Sequence, residues 1–131
     1  MTQPRMIAVV AAFAAALLVV TVSPTQAHHR RNIYCDQDPD LCLNARKVDA
    51  GRRFWIFRDG GSWRRYRLCV TAPDRSRTCH RFGMEEGLDF YTDSVMWREH
   101  FPHKGAGAYV VAWKRLNGDR IGPRLGFHVR G

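Results

Sequence analysis

Gly107-Ala108-Tyr109-Val110-Val111-Ala112-Trp113-Lys114-Arg115, followed by Leu116-Asn117-Gly118-Asp119 and then Arg120 through Val129, is the stretch on which the fold turns. Two readings of its turn compete. A two-residue type I′ turn at Asn117-Gly118, the strongest short hairpin signal, pairs Tyr109, Val111 and Trp113 with Gly126, Arg124 and Gly122. That splits the apolar residues between the faces. A three-residue loop at Leu116-Asn117-Gly118, with Gly118 left-handed, pairs Trp113 with Ile121, Val111 with Pro123 and Tyr109 with Leu125. Each large side chain that reaches the core contributes ~1.5–3 kcal/mol, so collecting the apolar set on one side outweighs the turn preference. The three-residue loop is therefore expected, with Lys114, Arg120 and Arg124 facing outward.

The same reasoning extends to the hairpin upstream. Cys69 and Cys79 bracket Pro73-Asp74-Arg75. If the two cysteines oppose each other, Tyr66 faces Phe82, Leu68 faces His80 and Val70 faces Thr78, all on the core side. Opposed residues at a non-hydrogen-bonded site lie ~4.5 Å apart between Cα atoms, a span a disulfide bridges. Arg65, Arg67 and Arg81 then share the outer face with the bridge. Gly and Pro punctuate the rest of the chain at short intervals, with β-branched and aromatic runs between them. Strands are expected at 52–58, 63–70, 77–84, 94–99, 108–115 and 120–129, with a short one near 45–50. No helical period stands out. About seven short strands in about 100 residues indicate an all-β sandwich.

The segment Gly107 to Trp113, with Gly122-Pro123-Arg124-Leu125-Gly126-Phe127-His128-Val129, resembles the last two strands of immunoglobulin-like and fibronectin-type sandwiches. The resemblance places Tyr109 near the tyrosine corner of such folds. It covers about 25 residues and implies a fold, not a function, because this architecture hosts unrelated roles.

At the other end, Arg5 precedes an unbroken apolar run from Ile7 to Val20, followed by Ser23-Pro24-Thr25-Gln26-Ala27. A charged start, a short apolar run and small residues at Thr25 and Ala27 read as a secretory signal, residues 1–27, cut after Ala27. A membrane span needs ~20 apolar residues, so the run is short for an anchor and no span is expected after cleavage. Residues 28–45 then read as a polar arm with a disulfide loop, and residues 46–131 as the immunoglobulin-like domain. Export to the cell envelope or the medium gives the four cysteines meaning. They read as two disulfides with three possible connectivities, of which the local one, Cys35 with Cys42 and Cys69 with Cys79, is the simplest. Neither spacing fits a zinc site.

The chain has 131 residues, 21 Lys or Arg against 12 Asp or Glu, and a net charge of +9. Arg5 is the only charged residue among the first 27, so the exported part carries +8. That length excludes most multidomain enzymes, and the richness in Phe, Trp and Tyr argues against disorder. The excess of Arg over Lys has the bias of a high-GC bacterial genome, such as an actinomycete's.

In a fibronectin-like sandwich, strands 77–84, 63–70, 108–115 and 120–129 share one sheet. Its outer face carries Arg65, Arg67, Arg81, Lys114, Arg120 and Arg124, with Trp63 at one end. Arginine grips carboxylate and phosphate bidentately, so this face suits an anionic cell-wall polymer such as teichoic acid, or an acidic glycan, ahead of nucleic acid. A protein partner is the other option. Outward positions of any exported sandwich also carry charge for solubility and edge protection. The principal expectation is an exported, non-catalytic binding module without a cofactor.

Two alternatives accompany it. Cleavage after Ala27 makes His28 the first residue, as in exported copper-resistance proteins of the CopC type, which this chain resembles in that respect. That resemblance implies copper held by His28 and its amine, with His29, His100 or His103 completing the site. The family's Asp-Gly-His segment is replaced here by Asn117-Gly118-Asp119. A compact hydrolase would draw on Glu85, Glu86, His100 and His128 as acid and base, residues that no spacing ties together. Finally, Phe54-Trp55-Ile56-Phe57 makes its strand apolar on both faces. It is either a central strand, one partly covered by the arm, or an exposed patch for a partner or glycan.

Overall fold

Alternation of apolar and polar residues is realised as two packed antiparallel sheets. The structure is a computed structural model and describes residues 31–38 and 40–131. Residues 1–27, which read as a secretory signal, and His28 lie outside the described residues. In chain order the strands are β1 (Ile33–Cys35), β2 (Leu41–Val48), β3 (Gly51–Asp59), β4 (Arg65–Thr71), β5 (Arg77–Gly83), β6 (Glu85–Glu86), β7 (Phe90–Met96), β8 (Gly107–Arg115) and β9 (Leu125–Val129). A single helical turn, α1 (Trp97–His100), follows β7. One sheet runs β1-β2-β3-β7-β6 and the other β5-β4-β8-β9. Leaving aside β1, this is the ABED and C′CFG arrangement of an immunoglobulin-type sandwich. Both disulfides are local, Cys35–Cys42 and Cys69–Cys79, and each joins directly paired residues of neighbouring strands.

The β4–β5 register is the expected one: Tyr66 opposite Phe82, Leu68 opposite His80, Cys69 opposite Cys79 and Val70 opposite Thr78. Tyr66, Leu68 and Val70 are buried, whereas His80 is exposed. β5 is the outer strand of its sheet, so the inward side of β5 is only partly covered.

The last hairpin keeps the expected loop and departs from the expected register. Arg115 N–H donates to Asp119 O and Gly118, at φ +97°, closes the turn on Arg115 O. Ile121 N–H donates to Trp113 O, and Lys114 bridges Arg120. Beyond that point Val111 pairs with Leu125 and Tyr109 with Phe127, not with Pro123 and Leu125. Pro123 has no N–H for the ladder and Gly122 sits at φ +66°, so these two residues loop out. A shift of two preserves the side on which each residue points. Tyr109, Val111, Trp113, Ile121, Leu125 and Phe127 are accordingly all buried, as the hydrophobic argument requires.

Three other expectations are corrected. The strand placed at 94–99 is Phe90–Met96, after which the chain turns helical. The turn brings Trp97 and Phe101 into the core while Arg98, Glu99 and His100 stay exposed, whereas an extended chain would have put Glu99 on the inward side with Trp97 and Phe101. The strand at 120–129 is confined to Leu125–Val129 by the Gly122-Pro123 excursion. The boundary of the arm at residue 45 also falls inside an element. β2 begins at Leu41, and Leu43 and Ala45 are completely buried, so the last residues of the supposed arm are core. Ahead of β2, Arg31 O accepts from Gly126 N–H, tying the first described residue to β9 of the other sheet.

Phe54 stands at the centre of the core, edge-on to Trp113 and Phe101 and 5.8 Å from Phe127 between ring centroids. β3 is the middle strand of its sheet, flanked by β2 and β7; one of its apolar faces enters the core, and the other, with Trp55 and Phe57, is half-buried among its neighbours. Tyr109 Oη donates to Gly105 O at 2.7 Å and accepts from Lys104 N–H, the back-bond expected of a tyrosine corner. The sheets are also pinned by Tyr66 Oη, which donates to Asp93 Oδ2 at 2.7 Å. Burial first, and then the bond to Asp93, push the Tyr66 hydroxyl far above its ordinary pKa.

Candidate anion-binding face

Strand parity decides what the outer side of the β5-β4-β8-β9 sheet displays. With Tyr66, Leu68 and Val70 inward, β4 turns Arg65, Arg67, Cys69 and Thr71 outward. β5 adds Arg77, Cys79 and Arg81, and β8 adds Val110, Ala112 and Lys114. Registers then place like charges side by side. Arg67 is directly opposite Arg81 on one flank and Lys114 on the other, and Lys114 in turn faces Arg120. Four cations thus stand in a row across the sheet. At the ~4.8 Å spacing of neighbouring strands, the row is about 15 Å long.

This row carries an energetic cost. Like charges directly opposed across strands repel, where opposite charges would attract. Among the described residues Arg64 pairs with Glu86 at 3.3 Å, and Glu99 lies 3.9 Å from His100. Neither carboxylate reaches the row. Burial, and then the charges of Arg77, Arg124, Arg67 and Arg120, hold the pKa of Lys114 below the ordinary lysine value. An anion laid on this face would relieve a repulsion that the fold itself leaves in place.

The face is not flat. A groove of about 250 Å³ lies over Cys69, Val110 and Ala112, with Arg77, Lys114 and Arg124 around it. Small side chains make its floor, so the longer cationic ones stand proud as a rim. Arg77 joins the expected cations on this face. It has the parity of Cys79 and Arg81, so its position follows from the same alternation. A second hollow of about 390 Å³ lies at the Arg65 end, bounded by Trp63, Arg64, Arg115, Leu116 and Asn117.

Trp63 takes a different part from the one expected. Its ring is covered by the guanidinium of Arg58, 4.3 Å from the ring centre, and the same guanidinium lies 4.7 Å from the Tyr91 ring centre. Arg58 also donates to Trp63 O. One aromatic face of Trp63 is therefore committed to a buried arginine.

Among the described residues, which do not include His28 and His29, the parts of the alternative sites are not brought together. Among the described residues no three His, Cys, Asp or Glu side chains come together as a metal site would require. His100 lies beside Phe82 and His80, whereas His103 lies over Trp97. Glu85 and Glu86 occupy the β6 edge of one sheet, while His128 is on β9 at the edge of the other. On the outer side of the first sheet, Trp55 and Phe57 stack at 5.9 Å and Phe57 meets Phe90 at 5.6 Å, half-buried. Among the described residues no helix is long and apolar enough to cross a membrane. No family model, curated protein or solved structure matches the chain.

Proposed function

We propose that the protein is an exported, non-catalytic binding module that holds an anionic polymer on the arginine-lined face of its second sheet. The observation that carries this reading is the row Arg81, Arg67, Lys114 and Arg120, opposed pair by pair with no carboxylate among the described residues to neutralise it. A line of cations about 15 Å long fits a repeating anion better than a single one. Arg124 and Arg77 at the groove add bidentate donors for phosphate or carboxylate. The two disulfides are compatible with an oxidising extracellular setting.

Titration of a labelled poly(glycerol phosphate) tests the proposal. Affinity falls steeply with salt, because each neutralised charge releases counterions. The triple change Arg65→Ala, Arg67→Ala, Arg124→Ala loses most of the binding while remaining folded. Arg46, Lys47 and Arg98 are exposed and lie off this face. Changing those three to Ala removes the same charge and loses far less. Equal losses from both triples would show that net charge alone is at work, and undiminished binding in the first triple would reject the face.

A further inference from the structure

The two disulfides form an internal comparison. Each links directly opposed residues of adjacent antiparallel strands, and both have a Cα–Cα distance of 4.1 Å. Their electrostatic settings are opposite. Asp36, Asp38 and Asp40 lie in the loop that Cys35 and Cys42 close. Cys69 and Cys79 lie among Arg67, Arg77 and Arg81 on the cationic side of the sheet, and Arg77 Nη2 donates to Cys69 Sγ at 3.4 Å. The two sulfur-bearing residues of that bridge also differ in access. Cys79 is exposed on the edge strand, whereas Cys69 in the inner strand is 2% exposed.

From this asymmetry we infer that Cys69–Cys79 is a reactive disulfide, attacked by an external thiol at Cys79 and releasing the Cys69 sulfur as a thiolate onto Arg77. Nearby cations attract the incoming thiolate and stabilise the leaving one, and a better leaving thiol departs faster. With a dithiol reductant the step balances. One thiolate of the reductant bonds to Cys79 Sγ, the bridge breaks, and its electron pair goes to Cys69 Sγ. The second thiol of the reductant then attacks its own sulfur in the mixed disulfide and frees Cys79. The bridge gains two electrons and two protons, and the reductant becomes a cyclic disulfide. The aspartates around Cys35–Cys42 repel a thiolate, so that bridge persists. The assignment stands independently of the polymer-binding proposal, since it needs only the cations and not their ligand.

The test is timed reduction of the full chain with dithiothreitol at low salt, quenched by alkylation and read by peptide mapping. Cys69 and Cys79 are expected to acquire label on the order of tenfold faster than Cys35 and Cys42, a gap that contracts as salt screens the arginines. Glutathione in place of the dithiol leaves its adduct on Cys79 and the alkyl label on Cys69. Arg77→Gln slows opening of this bridge severalfold and leaves the other unchanged, while Arg77→Lys retains the faster rate. Simultaneous opening of the two bridges, or earlier opening of Cys35–Cys42, overturns the inference. An Arg77→Gln variant with unaltered rates, or an adduct on Cys69, overturns the role given to Arg77 and the direction of attack.

Discussion

Replacing Arg67 by Gln should make the protein more stable and a weaker binder of polyanions. Arg67 is the centre of the cation row, facing Arg81 on one side and Lys114 on the other. Cross-strand pairs contribute roughly 0.2–1 kcal/mol each, with like charges on the unfavourable side. Two such pairs sum to between about 0.4 and 2 kcal/mol, and because Arg67 is only half-buried, screening by solvent trims this to about 1 kcal/mol at low salt. For a domain near 100 residues that is a rise in Tm of about 4–8 °C. Adding salt should erase most of the gain, as it weakens the repulsion in the parent. Thermal unfolding at low and high salt measures the first effect. The second is the slope of log affinity against log salt for a single-stranded polyanion, expected to flatten by about 0.7 for one lost charge contact. Arg67→Lys, which keeps the charge, should match the parent in both. A less stable Arg67→Gln protein at low salt would show that the row is not self-repelling. A stabilised variant that binds undiminished would show that the repulsion exists for no ligand.

Two further outcomes follow from the core. Trp113→Ala removes a side chain that is 1% exposed and packed against Phe54, and chemical denaturation should show a loss of ~3–5 kcal/mol; a variant that unfolds like the parent would contradict its place at the centre. Tyr66→Phe strips Asp93 of its cross-sheet donor and should cost ~1.5–3 kcal/mol at neutral pH. Because the folded state raises the tyrosine's pKa above its ordinary 10.0, the folded protein keeps a proton that the unfolded chain releases above that pH. The parent's stability must then fall as pH climbs past 10.0, and its advantage over Tyr66→Phe must narrow there. A constant gap across that range would refute the buried, bonded hydroxyl.

The parts of this fold that were legible in the sequence are those where two independent constraints coincide. At β4–β5 a covalent link and an alternating apolar pattern demand the same pairing, and the register is right to the residue. At β8–β9 only the apolar pattern speaks, and it is blind to a displacement of two; the faces were right and the partners beyond Ile121 were not. Residues 41–45 read as part of the arm because the polar loop before them hides an alternation only three residues deep, Leu41, Leu43 and Ala45. The helical turn at Trp97 was invisible because Trp97 and Phe101 suit an inward strand position as well as a helical one. For the candidate site, alternation identified which cations share a side, while the groove and the contact of Arg77 with Cys69 depend on side-chain packing that no periodicity encodes.

The Gly122-Pro123 excursion has a consequence for how this chain tolerates change in length. Because a strand repeats every two residues, removing both together closes the hairpin into an unbroken ladder and leaves Leu125 and Phe127 pointing where they do now. Removing either alone leaves one extra residue, which the ladder holds only as a β-bulge; without that bulge every later residue rotates by half a repeat, exposing Leu125 and Phe127. At this one place a length change of two keeps the alternation by itself, whereas a change of one keeps it only through a bulge.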